Sequence, residues 1–112
     1  KNIRTSSESY FIWVRDEVEP DTKYLDQSTR VADPNQTIGV TLLERLVHGA
    51  VHFIETKQHL DEKGVTFCAG SRLAGGDVPY VYWDSGAREV YVRWCSVDYA
   101  NPRHGLRSAV YA

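Results

Sequence analysis

The stretch VPYVYWDSGAREVYVRWC, Val78 to Cys95, decides how this chain folds. Two runs rich in Val, Tyr and Trp flank Asp84-Ser85-Gly86-Ala87, and a short glycine-containing loop between β-formers predicts a hairpin. Pairing Asp84 with Ala87 sets Trp83 opposite Arg88, Val81 opposite Val90 and Pro79 opposite Val92. Tyr80 then faces Tyr91, and Tyr82 faces Glu89. Side chains alternate along a strand, so Val81, Trp83, Val90, Val92 and Trp94 share one face, which is expected to be a core face. Val78, Tyr80, Tyr82, Glu89, Tyr91, Arg93 and Cys95 share the other, which suits a half-wet surface or a second interface.

Working outward, Tyr10 to Val14 is a β-run without polar alternation and predicts a strand covered on both faces, joined to the hairpin sheet. Residues 1–8 are polar and expected to fray. Residues 22–39 carry little pattern; a short strand near Ser28–Ala32 or a mobile loop is expected. Thr41 followed by Glu44 is a capping box. Leu43, Leu46, Val47, Ala50, Phe53 and Ile54 then recur at helical spacing, with Val51 widening the stripe. This predicts a helix from Leu42 to about Gln58, with Gly64 as its stop. Val65 to Cys68 reads as a short strand, Ala69 to Gly76 as a glycine loop, Asp98 to Gly105 as turns, and Leu106 to Tyr111 as a last strand.

A chain of 112 residues with 42% hydrophobic and 25% charged residues forms one domain, residues 1–112, able to bury a normal core. The net charge is −2. Residues 1–63 hold eight Lys/Arg against eleven Asp/Glu, and residues 64–112 hold five against four. Neither half carries the basic patch that nucleic acid requires, so nucleic acid is not expected as a partner. No apolar run approaches the ~20 residues of a membrane span. Cys68 and Cys95 could join only if their Cα atoms came within about 7 Å; two buried free thiols are the expectation, in a cytoplasmic protein.

Four constellations bear on chemistry. Glu44, His48, His52, Glu55 and His59 fall in one sector of the helix, about 80° wide. His48 and His52, at i and i+4, suit one metal ion, with Glu55 three residues on. That sector lies opposite the Leu43–Ala50–Ile54 stripe, so it is expected to face water and to bind no essential metal; no cofactor is expected. Cys68-Ala-Gly-Ser-Arg72 could form a thiolate loop, but the Arg stands four residues after the Cys, short of the five or six of rhodanese-like and tyrosine-phosphatase-like loops. The glycines from Gly70 to Gly76 match no nucleotide-binding signature and lead into a strand rather than a helix. Tyr80, Tyr82, Tyr91 and Arg93 form the fourth group. Aromatic and Arg side chains are enriched at recognition hot spots and offer rings on which planar ligands stack.

Gly70-Ser71-Arg72, the hairpin, and Gly105-Leu106-Arg107 together resemble the C-terminal half of C-type-lectin-like domains. The likeness covers under half the chain, with Gly-Leu-Arg where that family often has Gly-Phe-Arg. It implies a C-type-lectin-like fold as an alternative.

The expected fold is α+β: one amphipathic helix packed on a mainly antiparallel sheet of four or five strands. The expected function is a non-enzymatic binding or protein-interaction domain using Tyr80, Tyr82, Tyr91 and Arg93. Its partner would be a protein or a small molecule, with self-association as a further outcome. The alternatives are a small metal-dependent enzyme using His48, His52 and Glu55, and a small-molecule sensor with an aromatic pocket.

Overall fold

The computed structural model describes residues 1–5 and 9–111, with the backbone alone at Tyr111. It is a small α+β fold. In chain order the elements are β1 (Ile12–Val14), a 3-10 turn (Thr22–Tyr24), α1 (Thr29–Ala32), α2 (Leu42–Thr56), β2 (Val65–Phe67), β3 (Val78–Asp84), β4 (Glu89–Cys95), β5 (His104–Leu106) and β6 (Ala109–Tyr111). A four-stranded sheet runs β4-β3-β2-β5, antiparallel except for the parallel β2–β5 pair, and β1 pairs with β6 in a separate ribbon. No helix among the described residues is long and apolar enough to cross a membrane.

The hairpin forms with its two faces as expected but with a register two residues away. Asp84 pairs with Glu89, Trp83 with Val90, Tyr82 with Tyr91 and Tyr80 with Arg93. The reason is Asp84: its carboxylate accepts from Gly86 N at 2.9 Å and Ala87 N at 3.1 Å. It therefore caps a four-residue turn, in which Arg88 takes a positive φ of 56°. A shift of two preserves the side-chain alternation, so the face assignments survive.

Which face is buried does not follow the expectation. Phe67, Val78, Leu106, Ala32 and Ala69 form the apolar core, with Tyr80 and Cys95 packed against it. This cluster lies on the tyrosine side of the sheet, beneath Tyr24, α1 and Ile38. On the opposite side Val81 is fully buried and Trp83 half-buried, but Val90 and Val92 are exposed and Trp94 is 63% exposed. β4 is an edge strand, and α2 packs on β3 beside it, so the outer part of that face has no cover.

The helix is turned over in the same sense. Its capping box is present, with Thr41 Oγ1 accepting from Glu44 N and Glu44 Oε1 accepting from Thr41 N. It ends at Lys57, in the left-handed conformation at φ 62°, well before Gly64. Yet Leu43, Val47, Val51 and Ile54 are exposed, while Glu44, Arg45 and His52 are buried. Buried ions explain the inversion. Arg45 Nε donates to Asp61 Oδ2 at 2.9 Å, and Arg107 Nη2 donates to Asp61 Oδ1 at 2.7 Å. Thr66 Oγ1 donates to Asp61 and accepts from Arg107 Nε; Arg107 also reaches the carbonyls of Glu17 and Val18. Arg107 is 2% exposed and Asp61 fully buried. Charges survive burial only when paired and hydrogen-bonded throughout, as these are. Gly49 leaves room for this network, since a Cβ there would stand 2.5 Å from Arg45 Nη1.

Three further expectations are corrected. β1 does not join the hairpin sheet; it pairs with β6, and Trp13 on it, like Phe11 just before it, is exposed rather than covered. Residues 22–39 hold a 3-10 turn and a helical turn rather than a strand: Ser28 Oγ caps α1 at Val31 N, and the buried Asp33 carboxylate accepts from the amides of Thr37, Ile38 and Gly39. Residues 1–5 are tied down, with Ile3 N donating to Gly70 O and Arg4 paired to Glu44; residues 6–8 lie outside the described residues.

Candidate functional site

Strand pairing assembles the aromatic face. Tyr82 and Tyr91 are directly opposite, with ring centroids 5.5 Å apart, and Tyr80 lies 6.2 Å along the strand from Tyr82. The Arg93 guanidinium stands 5.0 Å from the Tyr91 ring. Donation to the Tyr82 phenol oxygen, more than any other cause, holds Arg93 above the ordinary guanidinium range. Glu89 beside Tyr91 pushes that phenol upward, and burial does the same to Tyr80. All three tyrosines are half-buried and Arg93 is exposed.

The row of rings continues through a residue that sequence reasoning missed. His104 lies 5.6 Å from Tyr80, 5.3 Å from Phe67 and 5.4 Å from Tyr99. Burial lowers its pKa, with Arg103 adding to the effect, so the imidazole is neutral near pH 7. The sequence from Asp98 to Gly105 predicts turns; the parallel pairing of Val65 with His104 puts this residue on the sheet. Parallel pairing across 39 residues leaves no local trace in sequence. Beside Tyr82 and His104 is a hollow of about 240 Å³, edged by Trp83, Asn101 and Arg103. On the other side of β3, Trp83 stacks at 3.5 Å on His59, which stacks at 4.4 Å on Phe53.

The histidine sector does not face water, contrary to expectation. His52 is buried and the His48 side chain is 11% exposed. His48 Nε2 lies 3.2 Å, and His52 Nδ1 2.8 Å, from the same oxygen, Asp16 Oδ1. Glu55, the carboxylate suggested by spacing, is exposed and is not part of the group that Asp16, His48 and His52 form. Asp16 follows β1 and arrives from 32 residues away, so helical spacing had no means of indicating it. Both imidazoles hold the Asp16 carboxyl below the usual range, His52 more strongly. Burial lowers His48 despite Asp16, and Arg107 and Arg45 act in the same direction.

Cys68 of the thiolate-loop reading is buried, and Ser71 in the same run is hydrogen-bonded. Burial pushes the Cys68 thiol up to about 12, and the half-buried Cys95 to about 11; both are free. Ser71 Oγ accepts from Leu42 N and donates to Asn2 Oδ1. Gly70 sits where a Cβ would come within 2.7 Å of Gly39 O, so its role in the Gly-Ser-Arg run is close packing.

No protein-family model, curated protein or solved structure matches this chain.

Proposed function

We propose that the chain is a non-enzymatic binding domain whose recognition surface is the aromatic face of the β3–β4 hairpin. The ligand is a flat ring, carried by a small molecule or by a partner side chain. One observation carries the reading: the Tyr91–Tyr82–Tyr80–His104 row is half-exposed and leads into the hollow beside Tyr82. Pockets that hold small molecules combine aromatic walls with a few placed polar groups, here the phenols, His104 and Arg103. Tyrosine supplies contact area through only two side-chain torsions, so little entropy is lost when it is fixed. The engaged Ser71 and the raised Cys68 thiol support a binding rather than a nucleophilic role.

The test is a panel of planar aromatic compounds added to the labelled protein, followed by chemical-shift mapping. Shifts should gather on Tyr80, Tyr82, Tyr91 and His104, and Tyr82→Ala should remove them without lowering the melting temperature. Shifts gathering instead around Trp94 and Ile54 would move the binding surface to the opposite side of the molecule, and the reading would fail.

A further inference from the structure

The polar stripe of α2 meets the chain that follows β1 at one point. Two ring nitrogens and one carboxylate oxygen converge there, all within 4.8 Å of one another. We propose that Asp16 Oδ1, His48 Nε2 and His52 Nδ1 form a binding site for a first-row divalent transition-metal ion of the zinc type. This is independent of the aromatic face.

Distances support it first. A tetrahedral zinc-type ion binds imidazole nitrogen and carboxylate oxygen at about 2.0–2.2 Å, which sets neighbouring ligand atoms about 3.3–3.6 Å apart, so the Asp16 carboxylate would give up its two hydrogen bonds and draw back by a few tenths of an ångström to admit the ion. The two edges from Asp16 Oδ1 are 2.8 and 3.2 Å. The donor chemistry supports it second. Two imidazoles with one carboxylate suit zinc, nickel, copper or iron(II), and exclude calcium and magnesium, which take oxygen ligands.

Protonation and access fit as well. Burial keeps His48 neutral near pH 7, the form that offers a lone pair. Arg45 and Arg107 carry positive charge nearby, and the Asp61 carboxylate bonded to both offsets about half of their repulsion of a cation. The helix supplies rigidity, since i, i+4 imidazoles stand on adjacent turns of a 15-residue element. Asp16 enters from the surface, with 67% of its side chain exposed, so an ion can reach the site from solvent and the three protein ligands leave one position of a four-coordinate ion unfilled. A hollow of about 340 Å³ lined by Tyr10, Ile12, Val14 and His48 adjoins it. Three protein ligands and an open position are the arrangement of sites that bind and activate a small molecule, rather than of closed structural sites.

The experiment uses the full chain, freed of any tag and stripped with chelator, titrated with zinc alone and then with cobalt(II). One ion per chain should bind. Asp16→Asn changes only an exposed side chain and should leave the circular dichroism intact while weakening binding. Loss of a mere supporting partner of a metal ligand costs about 10–100-fold, so losing a ligand should cost at least about tenfold. His48→Ala should do the same, while Glu55→Ala and His104→Ala should bind as the parent does. In nitrogen-15 spectra the ion should shift His48 Nε2 and His52 Nδ1. Absence of stoichiometric binding, equal loss in Glu55→Ala, or shifts confined to His59 or His104 would each overturn the proposal.

Discussion

The two sides of the four-stranded sheet are closed by opposite chemistries. Beneath α1 and the 3-10 turn, Phe67, Val78 and Leu106 pack against Ala32 and Ala69 as an ordinary apolar core. Beneath α2, the space is filled by Arg45, Asp61, Thr66 and Arg107, joined by hydrogen bonds. The apolar side gains stability by removing surface from water. The ionic side gains little from burial as such, and holds because every charge has a partner. The lesson concerns α2: a helix docks by whichever stripe its surroundings can satisfy. Here a carboxylate between two guanidiniums draws the polar stripe inward, leaving Ile54 70% exposed on the other side.

The sharpest way to break this comparison is Asp61→Ala, which strands two buried guanidiniums. Removing one partner of a single buried pair costs about 3–5 kcal/mol, so this change should reach or exceed the top of that range in urea unfolding. Phe67→Ala, on the apolar side, should cost about 3–5 kcal/mol. The two sides separate in the rescue: Asp61→Leu with Arg45→Met and Arg107→Met should recover part of the loss, because an apolar filling carries no buried charge, while Thr66 Oγ1 and the Glu17 carbonyl, which lose their partners, keep the recovery incomplete. A loss below about 1 kcal/mol in Asp61→Ala would mean the network does not hold the helix.

A smaller effect belongs to the helix start. Thr41→Ala removes the hydroxyl that accepts from Glu44 N and should cost about 1 kcal/mol.

The pH dependence should follow the ionic and aromatic sides together. His48 and His104 both titrate below their ordinary value in the folded state, chiefly through burial. As pH falls through about 6.5, the unfolded chain takes up protons that the folded chain refuses, so stability drops. Asp16, whose pKa is lowered by its imidazole partners, adds a further loss only at more acidic pH, as it is protonated. Melting temperatures at pH 7.5 and 5.5 should show the first loss, and His48→Gln should reduce it.

The least effect is expected at Trp94. It shares a face with buried Val81 but stands on the edge strand, so Trp94→Ala should shift stability by no more than about 0.5 kcal/mol. A cost near that of Phe67→Ala would show that something covers β4 in solution.

Several local signals in the sequence read correctly. The Thr41/Glu44 box, the hairpin with its two alternating faces, and the i, i+4 histidines are each written within a few residues, and each is present. Some misreadings are local, such as the hairpin register and the helix end at Lys57 rather than Gly64; those with the widest reach concern what packs on what. Leu43, Val47, Val51 and Ile54 form an apolar stripe, which predicts burial unless the opposite stripe finds better partners. Those partners, Asp61 and Arg107, lie 16 and 62 positions from Arg45 in the chain, and nothing local announces them. The same holds for the candidate sites: Tyr80, Tyr82 and Tyr91 were visible as a group, whereas His104 and Asp16 arrive through pairings that only the fold creates.

The pairing of Ile12 with Tyr111 has a consequence in time rather than in energy. Joining the first strand to the last closes a loop spanning nearly the whole chain, and loop-closure entropy must be met before that contact contributes. The hairpin closes over four residues and can form early; the β1–β6 ribbon gains a partner only after the intervening chain has been brought together. Long-range pairings of this kind slow folding. Pulse-labelled hydrogen exchange should find the amides of β3 and β4 protected first and those of β1 last, with Arg107, which ties the carbonyls of Glu17 and Val18 to the sheet, marking the step at which the chain ends are secured.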